Sequence, residues 1–500
     1  MIKKNTIVKI NRWKIRIGLV VILACLGASN FAAEKKKQEK PNFLFILIDD
    51  LGWKDLGCMG SKYYETPNID KLATEGVSFT NAYAPAANCA PSRACILSGQ
   101  NTPRHGIYTV GSSERGDSRS RKLIPVENKT TLTDANLTFA EVLKGEGYRT
   151  GSIGKWHVGN DPRTQGFDVN IAGSHAGHPK SYFSPYKNKN LIDGPEGEYL
   201  TDRLTCEAIQ FLKESKDQPF CLYLPYFTVH TPIQGKKELI EKYKAKGGEK
   251  GQNNAAYAAM VESVDQNIGK LMQSLDDLGL AENTMLVFFS DNGGIAKISS
   301  QRPLRAGKGS YYEGGIREPM IIRWPKKIKG EQECDVPVSG LDFYPTFLEA
   351  AGVSLPKGKI LDGESLIPML TEGKSLQREA LYWHFPIYLQ AIHPILDEAR
   401  DPLFRTRPGS VIRVGDWKLH EYFEDGGIEL YNLKEDLGEK ENLVKKFPKK
   451  AKKLLRMLTK WRQKMNAPIP EEPNPQYDRD FEIQLIEKKL KVAAVQASKK

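Results

Sequence analysis

The chain has 500 residues, of which 40% are hydrophobic and 27% are charged, and its formal net charge is +12 at pH 7. This composition supplies a large folded core and excludes a fibrous or largely disordered protein. No basic stripe with interleaved aromatic residues is present, so nucleic-acid binding is not expected. The seven cysteines form no CxxC pair, which argues against a zinc site or a disulfide scaffold.

Residues 1–29 have the pattern of an export signal. The first sixteen positions hold six Lys and Arg residues, half of the net charge, and an apolar run at 17–24 follows directly. That run, at about eight residues, is too short to span a bilayer, which needs roughly 20. Ile22-Leu23-Ala24-Cys25 resembles a bacterial lipobox with Cys25 as the lipidated residue, whereas Gly27-Ala28-Ser29 suits ordinary cleavage. We therefore expect a periplasmic protein or a cell-surface lipoprotein of a bacterium, which meets a membrane only through this signal or anchor.

Residues 30–40 are typical of a charged tether, and a regular alternation of strands and helices begins at Pro41. The apolar run 43–48 predicts a strand buried on both faces, as in a parallel sheet. Further strands are predicted at 148–153, 219–227 and 284–290, and helices at 66–76, 138–147, 200–214 and 255–278. The alternation predicts an α/β fold, with a large mixed, mostly parallel sheet sandwiched by helices.

The pattern changes after about residue 375. Residues 410–423 and 428–433 predict short strands around a turn at 424–427, and residues 448–465 predict a basic amphipathic helix. These features favour a smaller C-terminal α+β subdomain built on an antiparallel sheet. The predicted organisation is a catalytic domain at 41–375, a C-terminal subdomain at 376–470 and a charged tail at 471–500.

Polar residues follow the predicted strands. Asp49-Asp50 and Asp291-Asn292 each end a buried strand, and ligands of open α/β sheets bind beyond the carboxyl ends of strands. Such an oxygen-rich cluster suits Ca²⁺, although one pair could simply cap a helix. The loop residues that would surround an anion with cations and imidazoles are Lys155, His157, His230 and Lys308. Taken singly, each is also compatible with an ordinary structural role.

The segment Cys89-Ala90-Pro91-Ser92-Arg93 with the trailing Leu97-Ser98-Gly99 resembles the signature of the type I sulfatases, formylglycine-dependent enzymes of the alkaline phosphatase superfamily. The motifs GKWHVG, VHTP, SDNGG and GKGSYYEGG follow in the order of that family. The resemblance is strong over residues 41–325 and looser through 342–346 and 415–418.

This resemblance implies the parts of an active site. A separate maturation enzyme would convert Cys89 to formylglycine (3-oxoalanine). The implied ligands of one Ca²⁺ are Asp49, Asp50, Asp291, Asn292 and the modified Cys89. The implied sulfate pocket is formed by Arg93, Lys155, His157, His230 and Lys308.

The resemblance also implies a mechanism. One hydroxyl of hydrated formylglycine, activated by Ca²⁺, would attack sulfur, while Lys155, Lys308 and the metal offset the charge on the sulfuryl oxygens. Arg93 would hold the nucleophile. His230, with or without Lys308, would protonate the leaving oxygen, and His157 would deprotonate the second hydroxyl so that sulfate leaves.

The expected substrate is a sulfated carbohydrate or an aryl sulfate, with a sulfated glycan favoured by export and by the positive surplus. Two alternatives stay open: a phosphate or phosphonate ester hydrolase, and a non-enzymatic sulfated-glycan-binding protein in which Cys89 is unmodified. Residues in stretches that could face the leaving group are His175, His178, Arg302, Arg305 and His384, although a polar surface loop explains His175 and His178 equally well.

Overall fold

The computed structural model describes residues 40–249 and 251–498, which pack as one compact unit. The predicted export signal, Cys25 and nearly all of the tether lie outside the described residues. Within the described part of the chain, no helix is both long enough and apolar enough to cross a membrane.

A nine-stranded sheet lies at the centre of the fold. Its strands are β1 Asn42–Ile48, β2 Val77–Tyr83, β3 Arg149–Ile153, β4 Val169–Ile171, β5 Phe220–Pro225, β6 Thr284–Ser290, β7 Arg317–Arg323, β8 Gln332–Cys334 and β9 Val338–Ser339. They are ordered β4-β3-β5-β1-β6-β7-β2-β8, and β9 also pairs with β2. Only β7 runs antiparallel to its neighbours, β6 and β2. The predicted mixed, mostly parallel sheet is confirmed.

Helices cover both faces of this sheet. The α-helices are α1 Pro67–Glu75, α2 Cys89–Ser98, α3 Thr102–His105, α4 Phe139–Gly145, α5 Leu200–Ser215, α6 Lys237–Lys246, α7 Ala255–Asp277, α8 Glu313–Ile316, α9 Phe343–Ala350, α10 Ile367–Glu372, α11 Pro448–Met465 and α12 Arg479–Ser498. Short 3₁₀ helices lie at Gly57–Met59, Ser118–Ser120, Pro162–Gln165 and Gly340–Asp342.

The central strand β1 explains why both faces need helices. Its alternate side chains enter two separate cores: Leu44 and Ile46 pack among residues of α5 and α7. Phe43 and Phe45 pack among residues of α2, α4 and α9. A strand buried on both faces needs a continuous apolar sequence, as the run at 43–48 has.

A second, antiparallel sheet lies in the C-terminal region, in the order β10-β13-β14-β15. Its strands are β10 Leu381–Phe385, β13 Gly409–Val414, β14 Trp417–Tyr422 and β15 Ile428–Asn432, and a separate pair is formed by β11 Leu389–Gln390 and β12 Phe404–Thr406. The prediction of one strand over 410–423 was wrong. Gly415, at a φ of 56°, turns the chain back there, so that the segment forms a hairpin of β13 and β14.

The predicted charged tail contains α12, which packs back on the body of the protein. Glu482 of this helix forms an ion pair with Arg407 at 2.8 Å. The guanidinium of Arg119 lies 3.4 Å from the ring centre of Phe481. The helix is therefore attached by contacts with residues far away in the sequence.

Candidate active site

The two acidic pairs meet at the carboxyl ends of β1 and β6. These strands are parallel neighbours, with Ile48 opposite Ser290, so the residues that follow them lie side by side. The backbone N–H of Asp50 donates to Oδ1 of Asp291 at 3.2 Å, and Nδ2 of Asn292 donates to Oδ1 of Asp50 at 2.8 Å. The sheet topology thus gathers Asp49, Asp50, Asp291 and Asn292 into one buried, oxygen-rich cluster.

Helix α2 brings Cys89 and Arg93 to this cluster. All ten residues of the helix are buried, and the two side chains share a face because they are four positions apart. Nε and Nη2 of Arg93 both lie 2.8 Å from Oδ2 of Asp291. Sγ of Cys89 and the ligand atoms of Asp49, Asp50 and His230 all lie within 4.8 Å of one another. The thiol therefore stands next to the acids, with the guanidinium one turn behind it.

Two lysines balance the acids. Nζ of Lys155, in the loop after β3, donates to both oxygens of Asp49 at 2.8 and 2.7 Å. Nζ of Lys308 lies 2.6 and 2.7 Å from the oxygens of Asp50 and 3.6 Å from Sγ of Cys89. With Arg93 on Asp291, three cationic groups face three buried carboxyl groups. Arg93 and Lys155 are fully buried, and the side chain of Lys308 is 11% exposed.

The two histidines approach the cluster from other loops. His157 is buried, and its Nδ1 has no hydrogen-bond partner among the described residues. Nδ1 of His230 lies 2.8 Å from the carbonyl oxygen of Thr231, and its Nε2 lies 3.6 Å from Oδ2 of Asp50. Burial, reinforced by Lys308, lowers the pKa of His230 to about 3. Burial and Lys155 hold the pKa of His157 well below its usual value, so both rings are neutral in this state.

The acid cluster has the chemistry of a site for a hard divalent cation. Burial raises the pKa of Asp49 to about 8, against the opposing charge of Lys155. Burial acts on Asp50 in the same direction, but Lys308, His230 and Lys155 together hold its pKa below the usual range. Oδ1 of Asn292 is buried without a hydrogen-bond partner in residues 40–249 and 251–498. Three carboxyl groups and a free amide oxygen fit a hard divalent cation such as Ca²⁺.

Comparison with known proteins assigns the chain to a family. The family described as Sulfatase matches residues 41–353, which is more than half of the chain. The chain belongs to the sulfatase family. The family described as N-sulphoglucosamine sulphohydrolase, C-terminal, matches residues 307–467 of this sulfatase. The protein is accordingly a sulfuric ester hydrolase.

The sulfatase has similar relatives along most of its length. A sulfatase of Formosa agariphila is 34% identical over 87% of this chain and 91% of its own length. The N-acetylgalactosamine-6-sulfatase of Homo sapiens is 33% identical over 69% of this chain and 68% of its own. The crystal structure of Ps i-CgsB in complex with k-i-k-neocarrahexaose is 31% identical, with a TM-score of 0.70, over 85% of this chain and 93% of that one.

Five residues were candidates for contact with the leaving group of the substrate, and two of them, His175 and His178, lie beside the histidines of the site. The ring of His178 stacks on that of His230 with 6.1 Å between centroids, and the ring of His175 lies 6.4 Å from that of His157. Both His175 and His178 are exposed. They form an open edge above the neutral histidines of the site.

The other three residues have different surroundings. His384 is buried in the C-terminal sheet, where Nδ1 lies 2.8 Å from Oγ of Ser410 and Nε2 lies 2.8 Å from the carbonyl oxygen of Pro468. Arg305 donates to the backbone oxygens of Glu398 and Glu439, and the exposed Arg302 pairs with Glu398. The hydrogen-bond and ion-pair partners of these three side chains lie in the C-terminal region.

The sequence reasoning missed two arginines near Lys308. Nη1 of Arg405, on β12, donates to the backbone oxygen of Lys308 at 2.8 Å. Arg115 reaches the same region by donating from Nε to Oε1 of Gln390 at 2.9 Å. Neither lies in a motif, and no local pattern connects positions 115 and 405 to the loop at 308, so only the tertiary structure reveals them.

Proposed function

We propose that this sulfatase hydrolyses sulfate esters of a sulfated glycan by means of a formylglycine derived from Cys89 and one Ca²⁺ per chain. The observation that carries the proposal is the convergence of Sγ of Cys89 with the ligand atoms of Asp49, Asp50 and His230 within 4.8 Å. Cations of three separate segments surround the same point. A nucleophile, a cation site and an anion pocket thus coincide.

The proposed Ca²⁺ ligands are Asp49, Asp50, Asp291, Asn292 and the modified residue 89. When bound, the metal would offset charge on the sulfuryl oxygens and favour the ionised form of a neighbouring hydroxyl. The lysines now bonded to Asp49 and Asp50 would then be free to bind the oxygens of the ester. The residues for this pocket are Arg93, Lys155, His157, His230 and Lys308.

The charges of the site favour a sulfate ester over a phosphate monoester. A bound divalent metal would favour the ionised form of Asp49, so that three carboxylates and three cations cancel and the metal leaves a charge of about +2 to be neutralised. An ionised nucleophile and a singly charged sulfate ester supply two negative charges. As long as His230 is neutral, as it is in the free site, a doubly charged phosphate monoester would supply three and leave the buried site with a net negative charge, which burial penalises.

Proton transfer is assigned to the two histidines. Nε2 of His230 faces the site because Nδ1 is directed at the carbonyl oxygen of Thr231. A bound anionic ester would raise the pKa of His230, since a nearby negative charge favours the protonated ring. His230, with Lys308, would then protonate the leaving oxygen. His157, with an unpartnered Nδ1, would accept the proton from residue 89 when sulfate departs.

A glycan substrate is supported by the relatives, one named for an N-acetylgalactosamine-6-sulfate and one crystallised with a neocarrahexaose. Export through residues 1–29, to the periplasm or to the cell surface through a lipid on Cys25, would bring the enzyme to such polymers. Metabolic labelling with a fatty acid, compared between the natural chain and Cys25→Ala, distinguishes the two routes: label only in the natural chain indicates the lipoprotein.

The experiment that tests the proposal has two readouts on protein from the native host. Mass spectrometry of the peptide spanning residues 84–93 reports whether Cys89 carries the lower mass of formylglycine. Turnover of 4-methylumbelliferyl sulfate is compared with that of the corresponding phosphate. Formylglycine together with faster sulfate turnover is expected. Unmodified Cys89 with no turnover would favour the binding protein, and faster phosphate turnover would favour the phosphoester hydrolase.

A further inference from the structure

Beside the proposed sulfate pocket, Arg115 and Arg405 form a pair of cations that have no ion-pair partner among the described residues. Nε of Arg115 donates to the side-chain oxygen of Gln390 at 2.9 Å, and Nε of Arg405 donates to the backbone oxygen of the same residue at 3.1 Å. Within the described residues, neither guanidinium forms an ion pair with a carboxylate. Two like charges held by one residue repel each other, which is unfavourable unless an anion binds between or beside them.

A neighbouring arginine shows what a purely structural arrangement looks like in this region. Arg407 forms ion pairs with three carboxylates, of Asp401, Glu424 and Glu482, at 2.6 to 2.8 Å. These pairs raise the pKa of Arg407 against the effect of burial. At Arg405, burial lowers the pKa to about 10, the charge of Asp397 opposes this effect, and the charge of Arg115 adds to it. The charge of Arg405 is therefore incompletely compensated by the protein.

Arg405 is connected to the proposed nucleophile, Cys89, through Lys308. Nη1 of Arg405 donates to the backbone oxygen of Lys308, whose Nζ lies 3.6 Å from Sγ of Cys89. The guanidinium packs on Gly309, where a Cβ atom would lie only 2.9 Å from Nη1. Nη2 of each arginine has no hydrogen-bond partner among the described residues, yet neither is a fully buried atom. Each arginine thus has an unused donor that is not fully buried, and the donor of Arg405 belongs to a guanidinium that is bonded to Lys308.

We propose that Arg115 and Arg405 bind a second anionic group of the glycan, a sulfate or a carboxylate, while the scissile sulfate occupies the pocket at Cys89. This inference rests on the proposed function and narrows it to glycans with a further anionic group close to the cleaved ester. Guanidinium groups suit both anions, because their planar donors match pairs of anionic oxygens. Gln390 fixes the spacing of the two side chains.

The test compares the natural enzyme with Arg115→Gln and Arg405→Lys on matched substrates. One pair is a disulfated galactan disaccharide and its monosulfated counterpart. The other is a monosulfated disaccharide with a uronate and the same compound as a methyl ester. 4-Methylumbelliferyl sulfate, which has no second anion, is the reference. Arg163→Gln is the control, because this exposed arginine carries the same charge and pairs only with Asp161.

The natural enzyme is expected to prefer the doubly anionic member of one pair by at least tenfold in kcat/KM. Each arginine variant should lose most of that preference. The fold decrease in kcat/KM on the doubly anionic substrate should be at least five times the fold decrease on the aryl sulfate. Arg163→Gln should keep the full preference. A preference confined to the galactan pair identifies a sulfate, and one confined to the uronate pair identifies a carboxylate.

Two results would overturn this inference and leave the proposed function intact. One is turnover of aryl sulfate with no preference for the doubly anionic member of either substrate pair. The other is an equal decrease in the turnover of all substrates by the arginine variants. Equal slowing by Arg405→Lys with no effect of Arg115→Gln would mean that Arg405 only supports the Lys308 loop. Absence of any sulfate turnover together with unmodified Cys89 would remove the proposed function as well. Thermal unfolding of each variant excludes misfolding as the cause of a loss.

Discussion

Gly177 lies against the ring of His157 so closely that a Cβ atom at position 177 would be 2.5 Å from Nε2 of that ring. Real Cβ atoms do not approach other atoms so closely, so any other residue would displace the imidazole or the loop. The backbone N–H of His157 also donates to the carbonyl oxygen of Ser174 at 2.9 Å. The loop before Gly177 and the histidine therefore hold each other in place.

Gly177→Ala is expected to lower kcat on an aryl sulfate by at least tenfold, because a misplaced imidazole transfers a proton poorly. The melting temperature should change little, since the loop is at the surface. Gly145→Ala is the control. Gly145 is the last residue of α4, and a Cβ atom at this position would meet no other atom within 4 Å. Equal kcat values for the two variants would contradict the proposed role of His157.

Cys89→Ser separates attack on sulfur from release of sulfate. A serine hydroxyl next to the metal could attack sulfur, but it has no second hydroxyl through which sulfate can be expelled. We expect a nearly inactive variant or one that accumulates as a sulfated protein, which intact-mass measurement detects. Cys89→Ala should lose activity and keep its circular dichroism spectrum. Full turnover by Cys89→Ser would rule out the formylglycine mechanism.

Removal of calcium should lower stability as well as activity. A ligand that binds only the folded chain stabilises it by about 2.7 kcal/mol at a concentration of 100 times Kd. The melting temperature is therefore expected to fall in EGTA and to recover with added Ca²⁺. Asp50→Asn should abolish this shift, whereas Asp277→Asn, at the exposed end of α7, should retain it. Identical melting curves with EGTA and with Ca²⁺ would refute the calcium site.

Lys418 connects the C-terminal sheet to the segment after Lys308. Its fully buried Nζ lies 2.8 Å from Oε1 of Glu313 and 3.0 Å from Oε1 of Glu439. Lys418→Met would remove the cation that Glu313 and Glu439 share and leave Glu313 with its longer ion pair to Arg317 at 3.3 Å. This loss costs about 3–5 kcal/mol of unfolding free energy. Denaturant titration measures the loss, and Lys452→Met on the exposed face of α11 is the control. A loss below about 1 kcal/mol would show that solvent reaches this cluster.

The buried His384 should make the stability of the protein depend on pH, although we expect no role for this residue in catalysis. Burial lowers its pKa from 6.5 to about 3 in the folded chain. Below pH 6.5 the unfolded chain binds a proton that the folded chain does not, so stability falls as the pH decreases. Between pH 7 and pH 5 this group should cost about 2 kcal/mol.

His384→Gln should reduce that acid sensitivity by a similar amount, as measured by denaturant titration at both pH values. Its kcat on an aryl sulfate should stay within twofold of the natural enzyme, because both ring nitrogens of His384 already have partners inside the C-terminal region. An unchanged pH dependence, or a large loss of kcat, would contradict this assignment.

Local sequence patterns predicted the elements that depend on local chemistry. The apolar run at 284–290 coincides with β6, and the helix that we expected at 448–465 coincides with α11. Because parallel strands end at the same edge, the sequence also indicated that Asp49-Asp50 and Asp291-Asn292 belong together.

Other features depend on contacts between distant parts of the chain and have no local signature. The sequence of the hairpin around Gly415 resembles that of a single strand, because both of its strands are rich in strand-forming residues. His384 looked like a candidate for the leaving-group side until the structure gave it two internal partners. Arg405 reaches Lys308 across almost a hundred positions of sequence, and only the way that β12 packs against that loop brings them together.

The position of Cys89 has a consequence for the biogenesis of the protein. The residue is 2% exposed, in the first turn of a helix whose ten residues are all buried. An oxidising enzyme must reach not only the thiol but also the neighbouring Pro91 and Arg93 that would mark it, and both are inside the folded core. The proposed conversion to formylglycine would therefore have to be completed on the nascent or unfolded chain, and a molecule that folds first would lack the proposed nucleophile.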